Sequence, residues 1–270
     1  MFDFHMHSNF SADGDFEMEA MVQSAIQKGL KEICFTDHLD IDYPDKEWNF
    51  TFDPNKYTKT IEQLQSKYQN QLTILKGVEV GVQPHVLDET ADFVNILQPD
   101  FVICSMHATK EADLHSGDFF QNKSVETAYR QYYEELYACI QKFSSYQVLG
   151  HIDLVRRYAK QTSKDECFDV LEAILKLVID QGKGIELNTS GYKYGLEAGL
   201  PSKEILELYR QLGGEILTIG SDAHRPNEIS QSFRDSLELL QSIGFTHITS
   251  YENQLPTFTS IEEVKKIYRK

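Results

Sequence analysis

The chain carries little that would cross-link it, bind it to phosphate polymers or place it in a membrane. Its four cysteines, Cys34, Cys104, Cys139 and Cys167, form no CxxC pair, which excludes a thiolate-rich structural zinc site. Cys34 and Cys104 fall inside apolar runs and read as buried free thiols, since a chain of this length needs no disulfide staples. Basic residues are scarce: 26 Lys and Arg against 42 Asp and Glu leave a formal charge of −16. That charge repels phosphate backbones and excludes extended DNA or RNA as a partner. No run of about 18 apolar residues is present to span a bilayer. The stretch Met1 to His5 also lacks the basic and apolar regions of a secretory signal, so the expected location is the cytoplasm, with no membrane partner. Glycine-rich, proline-rich and low-complexity linkers are missing as well. Residues 1–270 therefore read as one domain, of a length common for (β/α) barrels, which run to about 250 residues.

What the chain does contain is an alternation of strand-like and helix-like segments. Strands are predicted at Phe2 to His7, Glu32 to Thr36, Thr73 to Val80, Phe101 to His107, Gln147 to His151, Gly184 to Thr189 and Glu215 to Ser221. Most are short apolar runs of the kind that parallel strands buried on both faces require. A first helix is predicted between Asp15, as N-cap, and Gly29, as stop, with Met18, Val22, Ala25 and Ile26 on one face. A second opens at Asp53-Pro54 and carries Tyr57, Ile61, Leu64 and Tyr68. Others follow over 88–97, 125–143, 164–180, 203–212, 229–243 and 261–268. Seven βα units in series imply an α/β fold with a parallel sheet, open or closed as a barrel. Two irregular stretches, 40–52 and 108–123, are candidate lids over a site.

The strand ends carry the chemistry. Alternation sends His5 and His7 to one face, while Phe4 and Met6 pack on the other. One H-x-H pair among nine histidines decides nothing. Its company does: Asp37-His38 follow the second strand, Glu79 ends the third, His107 the fourth, His151 and Asp153 the fifth, and Asp222 and His224 follow the seventh. Asp13 lies in the loop after the first strand. Six of the nine histidines stand at these ends, whereas His85, His115 and His247 do not. In a parallel barrel all C-terminal strand ends lie on one face, so these residues would converge. Mixed imidazole and carboxylate donors suit zinc, iron or manganese and argue against calcium. The candidate ligands His5, His7, Asp13, His38, Glu79, His107, His151, Asp222 and His224 exceed what one tetrahedral ion uses. Two or three divalent ions fit better, with Glu79 placed to bridge two of them.

The runs His-Met-His-Ser at 5–8, Thr-Asp-His at 36–38, Gly-Val-Glu at 77–79, Ser-Met-His at 105–107, Gly-His-Ile-Asp at 150–153 and Ser-Asp-Ala-His at 221–224 together resemble the polymerase and histidinol phosphatase (PHP) family. The resemblance covers almost the whole chain in order. It implies a distorted, TIM-like (β/α)₇ barrel with a trinuclear metal centre at its C-terminal face. Carried over by motif, His5, His7, Glu79 and Asp222 would hold one ion and Glu79, His107 and His151 a second, with Asp13, His38 and His224 holding the third. Within the family, the runs 150–158 and 186–191 are most similar to the histidinol-phosphate phosphatases of histidine biosynthesis, implying L-histidinol phosphate as a small phosphorylated substrate. The stretch after His107 departs from the short aromatic and acidic loop usual in those enzymes.

Ions clustered in this way do a defined job in phosphomonoester hydrolysis. They lower the pKa of a bridging water to give hydroxide, orient it for in-line attack and neutralise the phosphoryl oxygens. Arg156 and Arg157 after the fifth strand are the candidate phosphate-binding and catalytic cations, and Lys193 could add a point charge. Asn188 and Ser190 are candidate neutral donors to substrate, and His224 is placed near the leaving oxygen, although no general acid is identified. Asp40, Asp42, Asp45 and Asp113 in the candidate lids would suit a cationic amine and imidazole, with Tyr43, Trp48 and Phe52 able to pack against the ring. A phosphoesterase of the same family acting on nucleotides or phosphotyrosine, and a non-catalytic metal-binding module, stay open as alternatives. The sequence assigns no oligomeric state.

Overall fold

The fold is taken from a computed structural model that describes residues 1–159, 161, 163–196 and 198–267. Seven strands, β1 (Phe2–Asp3), β2 (Glu32–Phe35), β3 (Thr73–Gly81), β4 (Phe101–Ser105), β5 (Val148–Leu149), β6 (Gly184–Asn188) and β7 (Leu217–Gly220), pair in chain order, each parallel to the next. Glu32 registers with Phe2 and with Thr73, Gly77 with Phe101, Ile103 with Val148, Val148 with Gly184, and Leu217 with Ile185. β1 is counted as two residues because its continuation changes partner at almost every step. Phe4 N donates to Ile219 O (3.2 Å), Asp222 N to His5 O (2.8 Å), His7 N to Ala223 O (2.9 Å) and Thr36 N to Met6 O (2.9 Å). Those bonds bring the seventh strand's end back to the first and nearly close the barrel. The TIM-like (β/α)₇ architecture expected from the motifs is the one observed.

Some helices start at the signal read from the sequence and others start later. Helix α2 (Pro54–Tyr68) starts as read: the Asp53 carboxylate accepts Asn55 N and Lys56 N, and Tyr57, Ile61, Leu64 and Tyr68 are its buried face. Helix α1 (Met18–Gln27) begins three residues later than Asp15; Glu17 precedes it with no side-chain cap bond, because residues 8–16 are drawn into the loop at the strand ends. Gly29, at φ +77°, ends it. The remaining helices are α3 (Leu87–Leu97), α4 (Val125–Ile140), α5 (Val155–Tyr158), α6 (Phe168–Asp180), α7 (Ser190–Lys193), α8 (Lys203–Gln211), α9 (Phe233–Ile243) and α10 (Ile261–Ile267). Residues 164–167 and 229–232, read as helical starts, lie outside α6 and α9. Residue 268 lies outside the described residues. The apolar side chains of strands and helices form one continuous core.

An antiparallel hairpin, β8 (His247–Glu252) and β9 (Leu255–Ser260), has no counterpart in the sequence reading. Its turn residues Asn253 (φ 51°) and Gln254 (φ 63°) adopt the left-handed pair that Asn-Gly usually signals, and the missing glycine hid it. The hairpin packs at the N-terminal strand ends: Gln254 N donates to Asp100 O (2.8 Å), Leu217 N to Thr249 Oγ1 (3.3 Å), and Tyr251 stacks on Phe101. The C-terminal ends are left to the βα loops.

Candidate metal centre and the cavity above it

All nine candidate ligands meet at the C-terminal mouth, and Glu79 is their hub. Its Oε2 lies 3.2 Å from His5 Nε2, 3.5 Å from His7 Nε2 and 3.0 Å from His38 Nδ1. Its Oε1 lies 2.9 Å from His151 Nε2 and 3.3 Å from His107 Nε2, and accepts Ser105 Oγ (2.6 Å). Asp222 Oδ1 is 3.3 Å from His7 Nε2 and 3.7 Å from His5 Nε2, whose mutual distance is 3.1 Å. Asp13 Oδ2 is 3.1 Å from His224 Nε2 and 3.7 Å from His38 Nε2. His38 thus turns one nitrogen to Glu79 and the other to Asp13.

These residues fit divalent ions on two observations. The buried Glu79 Oε2 has no hydrogen-bond partner despite three imidazole nitrogens around it. A tetrahedral zinc with bonds of about 2.0–2.1 Å sets its donor atoms about 3.3 Å apart, close to the spacing of His5, His7, Glu79 and Asp222. Backbone strain accompanies the arrangement: Asp222 (φ 54°) and His151 (φ 21°) occupy the left-handed region, uncommon for side-chain-bearing residues.

The electrostatics fit the same picture. Burial opposes ionisation of Glu79, yet His5, His38 and His107 hold its carboxyl well below the usual range. Burial also opposes charge on His5 and His107, but Glu186, Glu79 and Asp222 around the first, and Asp40 and Glu79 around the second, raise both well above theirs. His224 is pushed up to about 9 by Asp13 and Asp222 against burial. His7 goes the other way, lowered by burial and by the neighbouring His224 and His38. The carboxylates thus draw positive charge to this cluster, the charge a bound divalent ion would supply.

Above the cluster lies a cavity of about 440 Å³, and the expected substrate-binding residues divide around it. Arg157 lines it, 8% exposed, with Nη2 on Asp222 Oδ2 (3.2 Å) and on Ser190 Oγ, and its guanidinium 4.1 Å from the Tyr194 ring centre. Its Nε is buried without a partner. Arg156 does not line the cavity: it turns to Asp153 Oδ2 (2.8 Å), which also accepts Ser202 N, because consecutive residues of a helical turn point in different directions. Lys193 lines the cavity but is paired with Glu228 (2.6 Å). Asn188 and Ser190 are buried behind the wall, where the Ser190 hydroxyl lies 2.6 Å from Asn188 Oδ1 and 3.0 Å from Asp222 Oδ2, with one proton to share between them.

Both irregular stretches border the cavity. Asp40, Tyr43, Trp48 and Phe50 come from the first, Asp113 and His115 from the second, and Tyr43 Oη donates to Asp113 Oδ1 (2.5 Å) between them. Asp42 is spent on Lys46 and His85 outside it, and Phe52 packs on Tyr57 and Phe93.

A family model for the PHP domain matches residues 3–190. The chain belongs to the PHP domain family. The histidinol-phosphatase of Lactococcus lactis is 30% identical over 92% of this chain and 93% of its own length. The probable histidinol-phosphatase of Clostridium acetobutylicum is 29% identical over 90% of this chain and 93% of its own. The crystal structure of the L. lactis histidinol phosphate phosphatase, complexed with zinc, L-histidinol and phosphate, superposes with a TM-score of 0.87 at 29% identity, covering 95% of this chain and 98% of that one.

Three features of this PHP-family site escaped the sequence reading. Glu186 sits beneath His5, with Oε1 2.6 Å from His5 Nδ1; the run Glu-Leu-Asn marks it, but only the pairing reveals its partner. Asp40 is engaged by His107 Nδ1 at 2.8 Å, a contact made across 67 positions. His115 lines the cavity although it stands at no strand end.

Proposed function

We propose that this chain hydrolyses L-histidinol phosphate to L-histidinol and phosphate, with residues 1–270 acting as one PHP-type phosphoesterase domain. One observation carries the reading: a fully buried carboxylate, Glu79, ringed by five imidazoles beneath a cavity that Arg157 lines. The likeness to the L. lactis enzyme, whose structure holds zinc, L-histidinol and phosphate, supports L-histidinol phosphate as the substrate.

Three divalent ions of the zinc, iron or manganese type suit the donor set: one for His5, His7, Glu79 and Asp222, one for Glu79, His107 and His151, and one for Asp13, His38 and His224. When bound, the ions supply Lewis-acid charge to the phosphoryl oxygens and activate water for in-line attack. Glu79 would belong to both of the first two sets, since Oε2 faces His5 and His7 and Oε1 faces His107 and His151. Arg157 lines the cavity and supplies the cation for the phosphoryl group, while Asp222, Ser190 and Tyr194 keep the guanidinium from swinging away. Asn188 and Ser190 support that arrangement from behind, and Arg156 buttresses the turn through Asp153. Lys193 reaches substrate only by leaving Glu228. His224, facing the cavity from the third set, is assigned to the leaving-group side. Asp40, Tyr43, Trp48 and Phe50 give the cavity an acidic and aromatic lining that suits the amine and imidazole of histidinol.

The test is phosphate release by the metal-loaded protein from L-histidinol phosphate, a nucleoside monophosphate, a 3′,5′-bisphosphate and phosphotyrosine, side by side. Histidinol phosphate should lead in kcat/KM by more than about tenfold. A smaller lead, or a lead for another ester, would transfer the assignment to that substrate. Bound metal with no hydrolysis of any ester would favour a non-catalytic metal-binding module.

A further inference from the structure

Two of the imidazoles around Glu79 are backed by buried carboxylates, and in each case a glycine makes the room. His5 Nδ1 lies 2.6 Å from Glu186 Oε1, and both side chains are buried. His107 Nδ1 lies 2.8 Å from Asp40 Oδ1, with Asp40 buried as well. A Cβ on Gly220 would stand 2.3 Å from His5 Cβ and 2.5 Å from Glu186 Oε1. A Cβ on Gly81 would stand 1.8 Å from Asp40 Oδ1. The far nitrogens of the two rings meet opposite oxygens of Glu79: His5 Nε2 is 3.2 Å from Oε2 and His107 Nε2 is 3.3 Å from Oε1.

We propose that Glu186 and Asp40 are positioning residues that hold the Nδ1–H tautomers of His5 and His107, so that each ring turns an Nε2 lone pair toward Glu79. This rests on the reading of His5 and His107 as metal ligands. An imidazole ligand needs its coordinating nitrogen unprotonated, and an acceptor fixed at the other nitrogen is what enforces that tautomer. The other rings have weaker backing: His7 Nδ1 meets Ser11 Oγ (3.1 Å), and His224 Nδ1 meets the Asp222 carbonyl (3.1 Å). The two carboxylates therefore serve one ring on each side of the shared Glu79.

The two carboxylates differ in a way that makes the proposal testable. Both oxygens of Glu186 are used: Oε1 by His5, and Oε2 by His151 N (3.1 Å) and Asn188 Nδ2 (3.3 Å). Glutamine has one acceptor oxygen, and the two fixed donors His151 N and Asn188 Nδ2 claim it, so Glu186→Gln turns its NH₂ toward His5 Nδ1 and forces the wrong tautomer. Asp40 Oδ2 has no hydrogen-bond partner. Asp40→Asn can therefore keep its carbonyl on His107, with its NH₂ in the place of Oδ2, where the nearest charged partner is His38 Nδ1 at 3.7 Å and no hydrogen bond is broken.

The experiment is equilibrium dialysis of Glu186→Gln, Asp40→Asn and Asp40→Ala at buffered free zinc, with kcat, KM and the melting temperature of the zinc-free protein followed in parallel. Glu186→Gln should lower affinity for one ion by about 10- to 100-fold. Its kcat should fall at limiting zinc and recover as zinc is raised, with KM unchanged. Asp40→Asn should lose less affinity than Asp40→Ala and less than Glu186→Gln. Zinc binding like wild type in Glu186→Gln, with only a lower melting temperature, would overturn the proposal, as would equal losses in Glu186→Gln and Asp40→Asn. If Glu186→Gln does not fold, Glu186→Asp keeps both acceptor oxygens; an intermediate zinc affinity supports the proposal and an unchanged one overturns it. His5→Ala separates the two levels. If it retains all its zinc, the ligand reading itself fails; if it loses zinc while Glu186→Gln does not, only the positioning role fails.

Discussion

At the N-terminal end of the barrel, the half-buried Asp100 accepts Lys76 N at 2.9 Å on one carboxylate oxygen and Asn253 N at 3.0 Å on the other. At the C-terminal end, Glu79 is fully buried and one of its oxygens has no donor, although three imidazole nitrogens surround it. The first carboxylate completes backbone hydrogen bonding and ties the β8–β9 hairpin to the strands. The second is left open to a cation. Buried polar groups in a folded chain are normally satisfied, so a carboxylate oxygen left over beside several nitrogens signals a function rather than a fold. Substitutions at the two ends should therefore separate activity from stability.

The largest effect belongs at the open end. His5→Ala, His7→Ala or Glu79→Ala should lower metal content and abolish hydrolysis while the far-ultraviolet circular dichroism stays that of the wild type. An active, fully metallated His5→Ala, His7→Ala double variant would erase the distinction. Next come the two adjacent arginines. Arg157→Ala removes a charged donor worth about 1.5–3 kcal/mol, so kcat/KM should fall about 10- to 150-fold. Arg156→Ala should change kcat/KM by less than about threefold and instead cost about 1–3 kcal/mol of stability, because Asp153 loses its cation. Steady-state kinetics and urea unfolding on both variants check the pair, and equal kinetic losses would place Arg156 on substrate.

Much of this is legible in the sequence, for reasons that differ between the two ends. Side chains at the C-terminal strand ends are read from local patterns: His5 and His7 share a face because strands alternate, and parallel order brings Glu79, His107, His151 and Asp222 to one mouth. What failed depends on rotation and on distant partners. Arg156 and Arg157 are equivalent in sequence, and only the angle between successive residues of a short turn sends one to Asp153 and the other to the cavity. Glu186 and His5 are 181 positions apart, and no local signal joins them. The hairpin at the closed end was missed because Asn253-Gln254 takes a left-handed turn without the glycine that would announce it.

At the closed end, Asp100→Ala removes acceptors from Lys76 N and Asn253 N, and about 1–2 kcal/mol of stability should go with them. Metal content and kcat should stay those of the wild type. The check is urea unfolding beside metal analysis, and loss of bound metal in this variant would show that the two ends are coupled.

The smallest effect belongs to the contact between the two loops over the cavity. Burial opposes ionisation of Asp113, but the Tyr43 hydroxyl and the backbone N–H groups of Ser116 and His115 outweigh it and hold the carboxyl below its ordinary value. A carboxyl depressed in the folded state contributes stability above its unfolded pKa and loses it as pH falls through the folded one. Tyr43→Phe removes the largest of the favourable partners, so the folded value should rise toward that of the unfolded chain. At neutral pH the variant should be about 1 kcal/mol less stable, and the gap should narrow once acid protonates Asp113 in both proteins. Urea unfolding at neutral and acid pH measures it. A gap that widens in acid would mean that the Tyr43 hydroxyl serves something other than the ionised carboxylate, and that the loops are joined by packing alone.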